Sequence, residues 1–115
     1  MYIYDRANAL ARDIKESQEF QAYKALKDEI YQDENTKNLV KQYKSIQFEA
    51  QAAMMSGKQP DNELLEKLKK LGEVLAFNPK VTEFFAAEYK FNTLISDVYK
   101  IIGDACEIDL DLFEK

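Results

Sequence analysis

The sequence contains no histidine among its 115 residues. Without imidazole, the chain cannot build a Ser-His or Cys-His catalytic pair, an HExxH zinc site, or the Glu-x-x-His di-iron centre that helical bundles often hold. An EF-hand loop and a glycine-rich phosphate loop are also missing. We therefore predict that the protein is not an enzyme, and we name no catalytic, cofactor-binding or metal-binding residues.

Cysteine, glycine and proline are scarce, with one Cys, three Gly and two Pro. The single thiol, Cys106, cannot form an internal disulfide, which fits a reducing compartment. The shortage of turn-forming residues predicts long helices. The opening MYIYDRANAL lacks the features of a signal peptide, and no stretch of about 18 apolar residues could span a membrane. We expect a cytoplasmic protein that is not associated with a membrane.

An excess of basic charge is missing as well. The net charge is −5, and residues 61–115 hold seven Lys or Arg against twelve Asp or Glu. The acidic residues crowd into residues 103–115, which we interpret as an acidic carboxyl-terminal tail that would repel phosphate backbones. Direct binding of nucleic acid is therefore not expected.

The chain is rich in apolar residues at helical spacing. This spacing predicts two short amino-terminal helices separated near Ser17, which is placed to be the N-cap of the second. A third helix should start after the polar cluster at residues 32–35, reach about Ser56 and end at Gly57, which can adopt the left-handed conformation.

Two more helices complete the prediction. The fourth follows Pro60-Asp61 and ends at Asn78-Pro79, because proline disfavours helical geometry in the residue before it. The last long helix starts there and runs to Gly103. The predicted fold class is all-α, with residues 1–115 as one domain. An antiparallel bundle of three long helices is preceded by two shorter amino-terminal helices.

The last long helix has more apolar surface than a bundle needs. At about 100° per residue, the apolar positions of residues 78–102 cover an arc of roughly 200°, about twice what a surface helix buries. Phe48 also points away from the apolar stripe of its own helix. Because large apolar patches are rare on monomers, we predict a homodimer. The interface candidates are Phe48, Phe84, Phe85, Glu88, Tyr89, Phe91 and Ile95.

Alternatives to this interface remain open. The amino-terminal helices could fold back over the apolar arc and bury it within a monomer, or the arc could dock a different protein. Glu88 lies inside the arc, where an unpaired carboxylate is costly to bury. We interpret it as paired with a Lys or Arg of a neighbouring helix or subunit; a role as an acid, a base or a switch is the alternative.

Three segments together resemble a known family: IYDRANALARDIKESQEFQAYKALKDEI, GKQPDNELLEKL and NPKVTEFFAAEYKFNTLISDVYKII. They are similar to the YheA/YmcA/YlbF group of small bacterial proteins, and most similar to its YheA-like UPF0342 branch. The resemblance covers nearly the whole chain. Its segments carry core and capping patterns rather than chemical motifs.

The resemblance implies an all-helical, dimer-forming cytosolic protein. The better known members are non-enzymatic factors that regulate competence, sporulation and biofilm formation. They act in a multiprotein complex linked to RNA processing by a membrane-anchored ribonuclease. That complex is associated with iron–sulfur clusters held by cysteines. Cys106 alone cannot supply the four thiolates of a cluster, so we expect no cofactor here.

Two hypotheses of function follow. The leading one is a non-enzymatic, homodimeric helical adaptor or regulatory protein that works through contacts with itself or with heterologous protein partners. The alternative is a carboxylate-based metal-binding protein or small enzyme, with Glu88 or the acidic tail as ligands. The alternative predicts a polar pocket and a stability that depends on metal ions.

Overall fold

The computed structural model describes residues 2–108 of the chain. Within that range the protein consists of five α-helices, and the all-α prediction is confirmed. The predicted break near Ser17 separates the first two helices. The part of the predicted acidic tail beyond Ile108 lies outside the described residues. The helices are α1 (Tyr2–Glu16), α2 (Gln18–Ile30), α3 (Glu34–Met55), α4 (Asn62–Ala76) and α5 (Pro79–Ala105).

Short polar residues cap the starts of α2, α4 and α5, as their sequence positions predict. The Ser17 hydroxyl accepts a hydrogen bond from the Phe20 backbone N–H at 3.1 Å, which satisfies one of the free donors at the start of α2. Asp61 and Asn78 act in the same way at α4 and α5. Pro79 is the first residue of α5, where its missing N–H has no cost.

The carboxyl-terminal ends of α3 and α5 close in the same way. Gly57 has φ +83°, and the N–H of the next residue donates to the carbonyl of Ala53 at 2.9 Å. At α5, Glu107 takes the left-handed position with φ +55°, and Ile108 N–H donates to the carbonyl of Gly103 at 2.9 Å. α5 therefore ends two residues beyond the predicted Gly103, because that glycine stays helical and accepts the closing bond.

The helix lengths differ from the expectation in one respect. α3 has 22 residues and α5 has 27, but α4 has only 15, the same length as α1. α3 and α4 run antiparallel, since Val40 near the start of α3 and Leu75 at the end of α4 lie in the same core, while a short connection joins the other two ends. Between these ends, Tyr43 of α3 packs on Gly72 of α4. A Cβ atom on Gly72 would lie 3.4 Å from the ring.

A small apolar core, here called the hub, joins the helices α2 to α5. It consists of buried side chains from the end of α2, the start of α3, the end of α4 and the start of α5. α2 lies antiparallel on α5, with Phe20 beside Phe91 at one end and Tyr31 beside Phe84 at the other. The hub residues are Ile30, Val40, Leu75, Val81 and Phe84.

Away from the hub the protein is open and flat. Its dimensions are 48 × 37 × 18 Å and its radius of gyration is 17.1 Å, against about 13 Å for a compact chain of this length. The accessible surface is 9162 Å², whereas about 6,500 Å² is typical for this mass. Two pairs of helices, α2 with α5 and α3 with α4, extend from the hub as separate arms.

Candidate interaction surface

The two halves of α5 differ in how far the chain covers them. Val81 and Phe84 in the first half are completely buried in the hub. In the second half, Tyr99, Ile101 and Ile102 are exposed. α2 causes the difference, because it lies antiparallel over the first half of α5 and begins at Gln18. Phe20, in the first turn of α2, reaches only as far as Phe91.

α2 covers two of the predicted interface residues. Phe84 has no exposed surface and stacks on Tyr23 with 5.6 Å between ring centroids. Phe91 is half-buried and stacks on the same tyrosine at 5.2 Å, with Phe20 at 5.4 Å. Phe84 is therefore a core residue, and within one chain it offers no exposed surface to an interface. For this part of the arc the amino-terminal helices do fold back.

Other candidates lie at the surface. Phe48 is 72% exposed on α3. Tyr89 is 68% exposed on α5. Phe85 is half-buried, with its ring 5.6 Å from that of Tyr43, and Ile95 is half-buried further along α5. These four side chains remain candidates for an interface.

Glu88 forms an ion pair with Lys44, which joins α5 to α3 next to the hub. The carboxylate side chain is only 19% exposed. The Lys44 Nζ atom also lies 5.6 Å from the ring centroid of Phe84, within the range of a cation–π interaction. The sequence favoured a Lys or Arg on a neighbouring helix as the partner of Glu88, and Lys44 on α3 is such a partner. The pair joins two helices and so acts as a structural contact.

A groove opens beyond this ion pair, between α3 and α5. Its volume is about 590 Å³. Aromatic rings of Tyr43, Phe85 and Tyr89 contribute its apolar lining, and amide and hydroxyl side chains contribute its polar lining. Two carboxylates, Glu88 and Asp97, also line it, and Glu88 is paired with Lys44. A lining in which rings and neutral polar groups predominate suits a protein segment better than a small charged ligand. The polar lining residues include Gln47, Gln51, Asn92, Thr93 and Ser96.

Sequence reasoning missed one feature, the exposure of α1. None of its residues is buried, and Tyr2, Ile3 and Tyr4 are exposed, with Ile3 at 73%. The regular spacing of Ile3, Leu10 and Ile14 indicated a helix that buries one side. That spacing carries no information on which other element covers the side, so the exposed stripe could not be foreseen.

The described residues give no candidate ligand set for the metal-binding alternative. Across residues 2–108, no three Asp, Glu or Cys side chains lie close enough to hold one metal ion. Glu88 has its cation in Lys44, and Cys106 is exposed at the end of α5. None of the five helices combines the length and the apolar character needed to cross a membrane.

The structure thus defines an all-helical protein with an open groove and uncovered apolar side chains on two helices. Residues 3–107 match the family model described as "Control of competence regulator ComK, YlbF/YmcA". The chain belongs to this family, and the resemblance found in the sequence is confirmed.

Related proteins match over nearly their full length. A UPF0342 protein of Symbiobacterium thermophilum is 37% identical over 108 residues, which cover 94% of this chain and 96% of the relative. A UPF0342 protein of Halothermothrix orenii is 35% identical over 115 residues, covering 100% and 98%.

Two solved structures share the fold. A protein of unknown function (DUF964) from Bacillus stearothermophilus superimposes with a TM-score of 0.73 at 21% identity, covering 93% of this chain and 94% of that one. Bacillus subtilis RicA, solved in complex with RicF, superimposes with a TM-score of 0.60 at 24% identity, covering 92% and 94%.

Proposed function

We propose that this protein is a non-enzymatic adaptor or regulatory protein that acts through protein–protein contacts and forms a homodimer in the cytoplasm. The observation that carries the proposal is the uncovered apolar surface. Exposed aromatic and aliphatic side chains lie on α1, on α3 and on the second half of α5. Water-exposed apolar patches of this extent are rare on proteins that work alone.

The family and its solved relative support a role based on contact. The family description refers to control of a competence regulator, and RicA was solved in complex with RicF, a protein partner. Because this related chain binds another protein, we propose that the present chain also acts by binding proteins. The groove between α3 and α5, which Tyr89 lines, and the exposed Phe48 on α3 are the surfaces we assign to such contacts.

Self-association is proposed from the same surface. A fully buried aromatic or aliphatic side chain contributes on the order of 1.5 to 3 kcal/mol, so a few of them can offset the entropy lost on association. Phe48, Phe85, Tyr89 and Ile95 are the residues we expect to be shielded. Phe91 contributes only its uncovered edge.

Size-exclusion chromatography with light scattering tests the homodimer at micromolar concentration. We expect the wild-type chain to have twice the monomer mass, and Phe48→Ala or Tyr89→Ala to shift it toward the monomer. Phe77→Ala is the matched control, because Phe77 is an exposed aromatic residue at the turn between α4 and α5, away from the groove. A monomeric wild-type chain would contradict the proposal.

Contact with other proteins needs a separate experiment. Wild-type and Phe48→Ser chains, each carrying a carboxyl-terminal tag, would be used to capture proteins from a lysate of the native host. We expect at least one protein to be captured by the wild type and by Phe77→Ser but lost with Phe48→Ser. Identical capture by all three chains would contradict the assignment of this surface.

A further inference from the structure

Two features have no partner among residues 2–108: the apolar stripe of α1 and the groove between α3 and α5. α1 has no buried residue, and both Ile3 and Leu10 in its stripe are exposed. The groove is open, although aromatic rings form part of its lining. We propose that α1 of a second copy docks in this groove, and that the two copies exchange α1 helices reciprocally. This inference rests on the homodimer proposed above.

The lengths of the two features agree. At 1.5 Å per residue, the groove runs about 12 Å along α3 from Tyr43 to Gln51 and about 18 Å along α5 from Phe85 to Asp97. The stripe of α1 from Ile3 to Ile14 is about 16 Å long by the same measure. One helix of this length therefore fills the groove from end to end.

The side chains also suit each other. The middle of the α1 stripe is formed by Ala7 and Ala11, which let a helix approach the aromatic rings closely, while Ile3 and Leu10 supply apolar bulk. Polar residues flank the stripe, and the amide and hydroxyl groups that line the groove can bond to them.

Charge favours this occupant over a strongly charged helix. α1 carries three basic and three acidic residues and has no net charge. One of the two carboxylates that line the groove, Glu88, is already paired with Lys44. Asp97 also lines the groove, and α1 carries arginines of the opposite charge, Arg6 and Arg12. A neutral helix therefore enters without leaving a charge unpaired.

The α1 helix of the same chain does not fill the groove. α2 packs on the side of α5 that carries Phe84 and Phe91, whereas the groove is lined by Phe85 and Tyr89, about a third of a turn away. One residue, Ser17, connects α1 to α2. Its hydroxyl donates to the carbonyl of Ile14 at 2.6 Å and accepts from the N–H of Phe20. These two hydrogen bonds tie the end of α1 to the start of α2, on the side of α5 that α2 occupies.

A second copy satisfies both features at once. In the described part of each chain, α1 lies in no groove and the groove holds no helix, so a two-fold axis pairs them and closes the assembly at two chains. The surface in excess of a compact chain is about 2,700 Å². A stable interface needs about 800 Å² from each partner, so the available surface is sufficient.

Cross-linking between two differently labelled chains tests the docking. Both chains carry Cys106→Ser, because Cys106 is exposed and would react. One chain carries Leu10→Cys and the other Asn92→Cys, and the two are unfolded together, refolded and treated with a short bifunctional maleimide. We expect cross-linked dimers that contain one chain of each kind. Lys69→Cys, on the exposed side of α4, replaces Asn92→Cys in the control and should give none.

The outcomes separate this inference from the homodimer itself. Dimers cross-linked mainly through Leu10→Cys in both chains would show that α1 meets α1, and would overturn the docking. A dimeric mixture with no cross-link between α1 and the groove would also overturn it while leaving the homodimer intact. A monomeric wild-type chain would overturn both proposals.

A substitution gives a second, independent readout. Leu10→Asp places a charge in the stripe, whereas Asn8→Asp adds the same charge about 160° around the helix. We expect Leu10→Asp to raise the dimer dissociation constant about a hundredfold, because two-fold symmetry places the change at two sites. Asn8→Asp should change it less than about threefold. Equal effects of the two variants in sedimentation equilibrium, with unchanged circular dichroism, would contradict the docking.

Discussion

Helices α1 and α4 have the same length and both carry an apolar stripe, yet the chain treats them differently. The stripe of α4 is covered by α3, and its last leucine, Leu75, is buried in the hub. The stripe of α1 has no buried residue. Amphipathic spacing therefore establishes that a helix needs a cover, and the tertiary arrangement alone decides whether the same chain supplies it.

The largest expected effect comes from the covered helix. Leu75→Ala removes a side chain that is almost completely buried between four helices. We expect it to lower the free energy of unfolding by about 3 kcal/mol, because the lost transfer energy adds to the cost of the cavity. Urea denaturation followed by circular dichroism measures this. A loss below about 1 kcal/mol would mean that the hub closes over the gap.

The contact between the arms should rank second. Lys44→Met leaves the largely buried Glu88 carboxylate without its cation. We expect a loss of about 1.5 kcal/mol of unfolding free energy, less than for a fully buried pair because Lys44 is partly exposed. The double variant Lys44→Met with Glu88→Gln should recover most of the loss. If the double variant is less stable than Lys44→Met alone, the ion pair stabilises the protein by more than neutralising the Glu88 carboxylate.

The two matching helix ends allow a comparison in opposite directions. Gly57→Ala puts a Cβ atom at φ +83°, and we expect it to destabilise the protein by about 1 kcal/mol. Glu107→Gly relieves a left-handed glutamate at φ +55° and should stabilise by up to about 1 kcal/mol. Thermal unfolding of both variants checks the signs. A stabilising Gly57→Ala would contradict the closure described for α3.

The smallest effect is expected on the uncovered helix. Ile3→Ala should change the unfolding free energy of the monomer by less than about 0.5 kcal/mol, because Ile3 is mostly exposed within one chain. The measurement belongs at a concentration where the wild type has dissociated. A loss close to that of Leu75→Ala would show that the apolar stripe of α1 is covered by its own chain, as that of α4 is.

Local chemistry explains which features of the fold were predictable. Ser17 and the Asn78-Pro79 pair set helix starts through hydrogen bonds and a fixed φ, and both act within a few residues. Gly57 marks a helix end for the same reason. The end at Glu107 was not predictable, because a left-handed glutamate is unfavourable in isolation and is held there by the closing hydrogen bonds.

The candidate surface was predictable only in part. The wide apolar arc of α5 and the outward direction of Phe48 follow from helical geometry. Helical geometry does not state which neighbour covers each side, so it could not separate Phe84, which α2 buries, from Tyr89, which stays exposed. The partner of Glu88 was predicted by type, since a costly carboxylate needs a cation, but its position on α3 required the tertiary structure.

The protein is only 18 Å thick, which is less than two helix diameters of about 10 Å each. A protein this thin has room for no helix enclosed between two others, so each of the five helices has one side facing water until another molecule covers it. The thermal stability of the protein should then depend on its concentration. The midpoint of thermal unfolding should climb as the chain is concentrated, since mass action favours the layered form.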